Sequence, residues 1–316
     1  GETLPISQVS NPVEGAAEVF FTLASVLSGE DNDRFGLIYA RLSEYLRPTS
    51  VESLLMVADM LSAQKQFDLA VESLNKVPSS HPEFYTAEIG RSEALQAAGK
   101  AEAAIEVLRG LTKTHKTIPT VFTSLGDALR RESRFPEATE AYNGAIALLP
   151  DVQPNHWFLY YARGITLERE GKWDAAEADF RFALKLSPDQ PLVLNYLGYG
   201  MVEKNINLEE AQQMIETAVA KQPNDGYITD SLGWVLYRVG KFAEAVSPLE
   251  KAIELMPVDP IINDHLGDAY WMVGRKLEAA FQWRRALSFE PEEADAARIR
   301  LKLEIGLDAV MNSETE

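Results

Sequence analysis

The chain has 316 residues, 46% of them hydrophobic, with 48 acidic against 30 basic side chains and a formal charge of −18. That balance disfavours nucleic acid and anionic membrane as partners, because phosphate binding draws on clustered Lys and Arg. With no cysteine, disulfides, thiolate catalysis and Cys-bound metal are excluded; no apolar run is long enough to span a membrane, and a chain of this size implies two domains or a repeat array.

Residues 1–15 read as a flexible lead. Their start, "GETLPISQVS", lacks the charged and apolar regions of a secretory signal, and a chain beginning at Gly1 is expected to be a trimmed or mature form. Three weakly marked helix pairs are predicted over 16–118. The first, about 16–47, rests on apolar spacing alone and has a long turn, "SGEDND". The second, "SLLMVADMLSAQKQFDLAVESLNKVP", carries Ala58, Ala70 and Pro78; the third, "EIGRSEALQAAGKAEAAIEVLRGL", carries Ser92, Gly99 and Ala104, with Leu111 where Ala is expected.

Over 119–293 the pattern becomes strict, and five pairs are predicted. Gly recurs at 126, 164, 198, 233 and 267, at spacings of 38, 34, 35 and 34. Next come Ala138, Ala176, Ala211, Ala245 and Ala279, then Ala145, Ala183, Ala218, Ala252 and Ala286, and each block closes on Pro150, Pro188, Pro223, Pro257 or Pro291. Apolar residues fall at helical spacing on both sides of a middle breaker such as Gly171, Gly240 or Gly274. That breaker ends a first helix, and the closing Pro cannot continue a second. The small residues mark where the helices approach closely. Tyr142, Phe180 and Trp283, at one shared position, are expected to fill gaps between neighbouring pairs. The stretch at 149–157, with two prolines, reads as a long connection. One amphipathic capping helix is predicted at 294–311 to cover the last pair, followed by a disordered tail at 312–316.

These small-residue, Ala, Ala and Pro positions resemble the tetratricopeptide repeat (TPR). The resemblance implies an all-α fold: a right-handed α-solenoid of about eight TPR-like helix pairs plus a C-terminal capping helix, with the first helix of each pair lining a concave groove. The groove positions lie six and three residues before the signature Gly and one and four after it. They are Phe158, Tyr161, Ile165 and Glu168, then Leu192, Asn195, Tyr199 and Val202. Next come Tyr227, Asp230, Trp234 and Tyr237, then Ile261, Asp264, Asp268 and Trp271. Twelve of them form the candidate partner-binding stripe: Phe158, Tyr161, Ile165, Asn195, Tyr199, Tyr227, Asp230, Trp234, Tyr237, Asp264, Asp268 and Trp271. Tyr and Trp on such a surface are usual anchors of protein recognition. The TPR carboxylate clamp of cytosolic co-chaperones uses Lys, Asn and Arg; only Asn195 matches, and the neighbouring Asp residues have the wrong sign.

No catalytic constellation appears. His81, His115, His156 and His265 lie in four different repeats without metal-ligand spacing, and no phosphate-binding glycine loop follows a strand. The chain is expected to be no enzyme and to take no cofactor or metal. The phrases "LNYLGYGMVEKNINLEEAQQMIETAV", "DGYITDSLGWVLYRVGKFAEAV" and "NDHLGDAYWMVGRKLEAAFQWRRAL", over about 190–290, further resemble bacterial TPR lipoprotein adaptors of periplasmic carboxyl-terminal processing proteases. That resemblance implies a periplasmic, outer-membrane-anchored scaffold that activates such a protease and presents its cell-wall hydrolase substrates. The lipid anchor would be absent from this stretch. The alternatives are a cytosolic, chaperone-like peptide-binding scaffold and the regulatory TPR portion of a larger enzyme.

Overall fold

The computed structural model describes residue 9, residues 11–28 and residues 33–315. Most of the predicted lead and the middle of the "SGEDND" turn lie outside them. All regular structure among the described residues is helical: α1 (Pro12–Leu27) and α2 (Asp33–Leu46), α3 (Val51–Ala63) and α4 (Phe67–Leu74), α5 (Phe84–Ala97) and α6 (Ala101–Thr114), α7 (Pro119–Arg131) and α8 (Phe135–Ala147). These are followed by α9 (Trp157–Arg169) and α10 (Trp173–Leu186), α11 (Pro191–Glu203) and α12 (Leu208–Lys221), α13 (Gly226–Arg238) and α14 (Phe242–Leu255), α15 (Pro260–Met272) and α16 (Lys276–Ser288). Two more helices, α17 (Glu293–Ile305) and α18 (Leu307–Thr315), end the chain. The expected single cap is therefore two helices broken at Gly306, whose φ of 85° no β-carbon-bearing residue adopts easily. Helix α18 runs on to Thr315, where a disordered tail was expected.

The helices form two compact units. The N-terminal unit comprises residues 1–152 and 162–176; the C-terminal unit comprises 153–161 and 177–316. The expected long connection lies at this boundary and contains a short 3₁₀ turn, Pro154–His156, in which His156 Nδ1 accepts the Gln153 N–H at 2.9 Å.

Each first helix from α3 to α15 is followed by a residue in the left-handed region. Gly fills this position at 99, 171, 240 and 274; Lys65, Ser133 and Asn205 fill it elsewhere, at φ of 59°, 56° and 55°. The geometry is thus kept even where the glycine is not. Several first helices begin with Pro or a carboxylate cap. Asp225 Oδ1 accepts from the backbones of Tyr227 and Ile228 at 3.0 and 3.1 Å, and Asp259 Oδ1 does the same for Ile261 and Ile262 at 2.9 and 3.0 Å.

Close approach within a pair explains the signature glycines. A β-carbon on Gly126 would fall 2.5 Å from the Tyr142 ring, one on Gly233 would fall 2.4 Å from Leu249, and one on Gly267 would fall 2.4 Å from the Trp283 indole. Tyr142 and Trp283 therefore fill the space vacated by the glycine of their own pair. Of the three residues expected between neighbouring pairs, Phe180 does reach the next pair, with its ring centroid 5.3 Å from that of Tyr196 on α11. In the N-terminal unit the core is a seam through Leu54, Val57, Ala58, Leu61, Ala70 and Leu74. In the C-terminal unit a seam through Leu194, Ala218 and Ile228 ties α11 and α12 to α13.

Candidate protein-binding surface

The first helices of the C-terminal unit present the predicted groove positions in two depths. Those six residues before the signature glycine form an outer row: Phe158, Leu192, Tyr227 and Ile261 are 44%, 43%, 56% and 38% exposed. One large apolar side chain thus stands in solvent at the N-terminal turn of each of four successive first helices. Trp157 packs edge-on to Phe158 at 6.4 Å, and Asp259 beside Tyr227 helps burial raise its phenol above the ordinary tyrosine range.

The deeper positions are engaged by the chain itself. His265 Nδ1–H donates to both carboxylate oxygens of Asp230, at 3.0 and 2.9 Å, and both residues are buried. The Trp234 ring stacks on the His265 ring at 3.9 Å and on Tyr237 at 4.9 Å, and its indole N–H donates to Glu203 at 2.6 Å. Burial on its own would lower the His265 pKa. The carboxylates of Asp230, Asp264 and Asp268 outweigh it, so the imidazole sits above its ordinary range.

Helix α17 fills the inner face of α15. Lys302 is fully buried, and its ammonium donates to both oxygens of Asp264 (2.8 and 2.7 Å) and of Asp268 (2.7 and 2.8 Å). Asp268 also accepts the Trp283 indole N–H at 3.0 Å. Burial, with the Asp268 charge next to it, pushes the Asp264 carboxyl up to about 6 against the opposing pull of Lys302. Helix α18 extends the cover. Asp308 accepts the Trp271 indole N–H at 3.0 Å, and the Tyr237 hydroxyl reaches the Met311 sulfur at 3.8 Å. Burial raises the Tyr237 phenol, as it does that of Tyr199, where the charges of Glu203 and Asp230 add to it.

The twelve predicted residues therefore separate. Phe158 and Tyr227 lie open on the outer row. Tyr161 is half-buried against Phe180 and Tyr196, with ring centroids 6.1 and 5.9 Å away. Asn195 and Tyr199 are half-buried on α11, and the buried Asn195 Oδ1 accepts no hydrogen bond among the described residues. Asp230, Trp234, Tyr237, Asp264, Asp268 and Trp271, expected as free groove walls, are held by one another or by α17 and α18. Ile165, half-buried, belongs to the N-terminal unit. Lys302 escaped the sequence reading because a lone lysine in a charged helix carries no mark of burial. The expected apolar face of this helix contains only Ala296 and Ile299 beside that lysine as buried positions.

The N-terminal unit carries a periodic acidic row of its own. The residue after the signature position is Asp59 on α3, Glu93 on α5 and Asp127 on α7, one carboxylate per pair. Desolvation by the surrounding helices raises the Asp59 and Glu93 carboxyls. Asp59 borders a cleft of about 840 Å³ with Glu52 and Glu83 at its rim and Leu55, Met56 and Met60 among its walls. Extending the register rule to these weaker repeats would have found the row. Among the described residues no group of three or more His, Asp and Glu side chains is placed to hold a metal, and no helix is long and apolar enough to cross a membrane.

Comparison with known proteins agrees with this architecture. Over 81% of this chain and 98% of its own, a Parabacteroides merdae tetratricopeptide repeat protein superposes with a TM-score of 0.63 at 17% identity. The APC/C Cut9–Hcn1 structure covers 94% of this chain and 57% of its own at 0.66 and 17%. TPR repeat-containing protein PA4667 of Pseudomonas aeruginosa is 29% identical over 189 residues, 58% of this chain and 31% of its own length. Protein O-mannosyl-transferase TMTC1 of Mus musculus is 30% identical over 152 residues, 47% of this chain and 16% of its own. The chain thus spans less than a third of either curated relative. The tetratricopeptide repeat family matches at 89–152, 161–199 and 231–289, more than half of the 316 residues, and a second tetratricopeptide repeat profile matches at 52–83. With helix pairs, signature glycines and left-handed turns all in register, the chain belongs to the tetratricopeptide repeat family.

Proposed function

We propose that the chain is a protein-interaction scaffold whose C-terminal unit docks an extended polypeptide along the outer row Phe158, Leu192, Tyr227 and Ile261. The observation that carries this reading is the row itself: four large apolar side chains, 38–56% exposed, recurring once per repeat. Packed helices stand roughly 8–10 Å apart. A segment in polyproline II conformation advances about 9 Å per three residues, so every third side chain of such a segment meets one member of the row. The carboxylate caps Asp225 and Asp259 lie along the same edge and favour a neutral or basic segment.

The resemblance of residues 190–290 to adaptors of carboxyl-terminal processing proteases makes such a protease the first partner to test, and the periplasm the compartment to test it in. Purified protease should be captured by the chain and activated by it. Tyr227→Asp with Leu192→Asp should abolish capture, while Leu277→Asp, at a residue 87% exposed on α16, should leave it intact. Capture that survives the double variant would overturn the outer row as the docking site. A protease that neither binds nor responds would remove that partner.

A further inference from the structure

Helix α18 covers inner-face positions that a partner would otherwise reach. The backbone turns into it at Gly306, where a β-carbon would fall 2.8 Å from the Trp271 ring, so the chain passes close over that indole. Leu307 and Val310 are buried, while Asp308, Met311, Asn312 and Ser313 stay exposed. Asp308 accepts the Trp271 indole N–H at 3.0 Å, and the Lys276 ammonium stands 4.4 Å from the centre of the same ring. The Tyr237 hydroxyl reaches the Met311 sulfur at 3.8 Å.

This attachment differs from that of α17. Lys302 ties α17 to Asp264 and Asp268 in the core, whereas α18 is held by two buried apolar side chains and by a hydrogen bond at an exposed edge. A helix of nine residues is shorter than the roughly 12–15 at which an isolated helix holds in water. Helix α18 is therefore ordered by the surface it covers, and undocking and unwinding are one event. Segments with so few buried contacts open well before the rest of a fold. We infer that the surface beneath α18, walled by Tyr237 and Trp271, is a docking site for a short segment of another protein, which α18 occupies in cis as a stand-in. The seated segment shows the chemistry the site takes: an apolar residue, a carboxylate next to it, and a second apolar residue two places on, as in Leu307, Asp308 and Val310. The carboxylate meets an indole N–H beside an ammonium, a pairing that a basic residue would forfeit. The site draws on none of the outer row.

Fluorescence anisotropy of the full chain with a labelled peptide of residues 306–315 tests the inference. Leu307→Ser with Val310→Ser frees α18. The peptide should bind that variant at least ~10-fold tighter than wild type, where the tethered copy competes at an effective concentration on the order of millimolar. Asp308→Lys leaves both buried anchors in place and brings a second ammonium to the Trp271 edge. It should give a gain in the same direction, and it replaces the serine pair if amide exchange over 293–305 shows that pair to loosen α17. In either opened form Trp271→Phe should weaken the peptide about 10-fold, the worth of a hydrogen bond to a carboxylate; an unchanged affinity overturns the placement. An opened form that keeps α17 protected yet takes no peptide overturns the inference, as does a wild type that takes the peptide equally well. Pairing through exchanged α18 helices, seen in sedimentation as twice the 35.1 kDa of one chain, would make a second copy the occupant and overturn the reading of a separate partner. Tyr227→Asp with Leu192→Asp should leave peptide binding unchanged, so failure of the outer row and failure of this site are told apart.

Discussion

Replacing Lys302 with Met tests how much the buried clamp holds. Methionine keeps the unbranched stem and removes only the charge, leaving Asp264 and Asp268 facing each other with side chains 15% and 1% exposed. Breaking a buried ion pair from one side costs about 3–5 kcal/mol. Asp268 keeps the Trp283 indole at 3.0 Å and Arg298 at 3.7 Å, which places the expected loss near the lower end, about 3 kcal/mol, or roughly 6–12 °C in the melting of a unit of this size. A pH dependence follows. Asp264 is raised from 3.8 to about 6 in the folded state. Its contribution is therefore present below pH 3.8 and lost as pH rises through about 6. Without the ammonium the remaining pair holds a proton more tightly still, so the Met variant should lose less at pH 5 than at pH 8. Guanidinium unfolding followed by tryptophan fluorescence gives the stability, and amide exchange over 293–315 reports detachment of α17 and α18. Asp264→Asn with Asp268→Asn in the Met background should recover most of the loss, since a neutral core of similar volume has no stranded charge. A loss under about 0.5 kcal/mol at pH 8, with α17 still protected, would refute the clamp as a source of stability.

His265 should titrate above the ordinary 6.5 of an imidazole, because the carboxylates of Asp230, Asp264 and Asp268 together outweigh burial. Its stabilisation is present below 6.5 and lost as pH rises through the folded-state value. The melting difference between wild type and His265→Gln should therefore shrink on the alkaline side. An imidazole NMR midpoint below 6.5 would contradict the pairing. Gly267→Ala should destabilise by about 1–3 kcal/mol by forcing Trp283 to move, since the new methyl would sit 2.4 Å from the indole. Gly110→Ala, with nothing within 4 Å, should instead gain up to about 1 kcal/mol of helix propensity; equal effects in calorimetry would sink the steric reading.

The helix pairs were legible because each rests on a local rule. Ala138, Ala176, Ala245 and Ala279 lie where only small side chains fit, and the closing prolines mark helix ends whatever their neighbours do. Even the weaker pair around Ala58 and Ala70 follows the pattern. The register that puts Phe158, Leu192, Tyr227 and Ile261 at one position was legible too, although the candidate stripe kept only Phe158 and Tyr227 of the four. What the inner face holds was not legible, since it depends on where the chain's end goes. Trp234 and Asp268 look the same in sequence whether a partner or Lys302 faces them. Nothing local to "RIRLKLEIGL" announces that Lys302, among Arg298, Arg300 and Glu304, is the charge that enters the core. The break at Gly306 was likewise missed, because an isolated glycine in a charged helix reads as tolerated.

The Lys302 anchor also limits how this array can be cut and rejoined. Repeat proteins are usually lengthened by inserting whole hairpins at any junction, on the premise that each module knows only its neighbours. Here α13, α15 and the terminal pair of helices form a single block, because Tyr237, Asp264, Asp268 and Trp271 are all matched to residues between Lys302 and Met311. A graft placed after Ser288 would strand two carboxylates and two aromatic rings, whereas one placed ahead of Gly226 leaves that block whole.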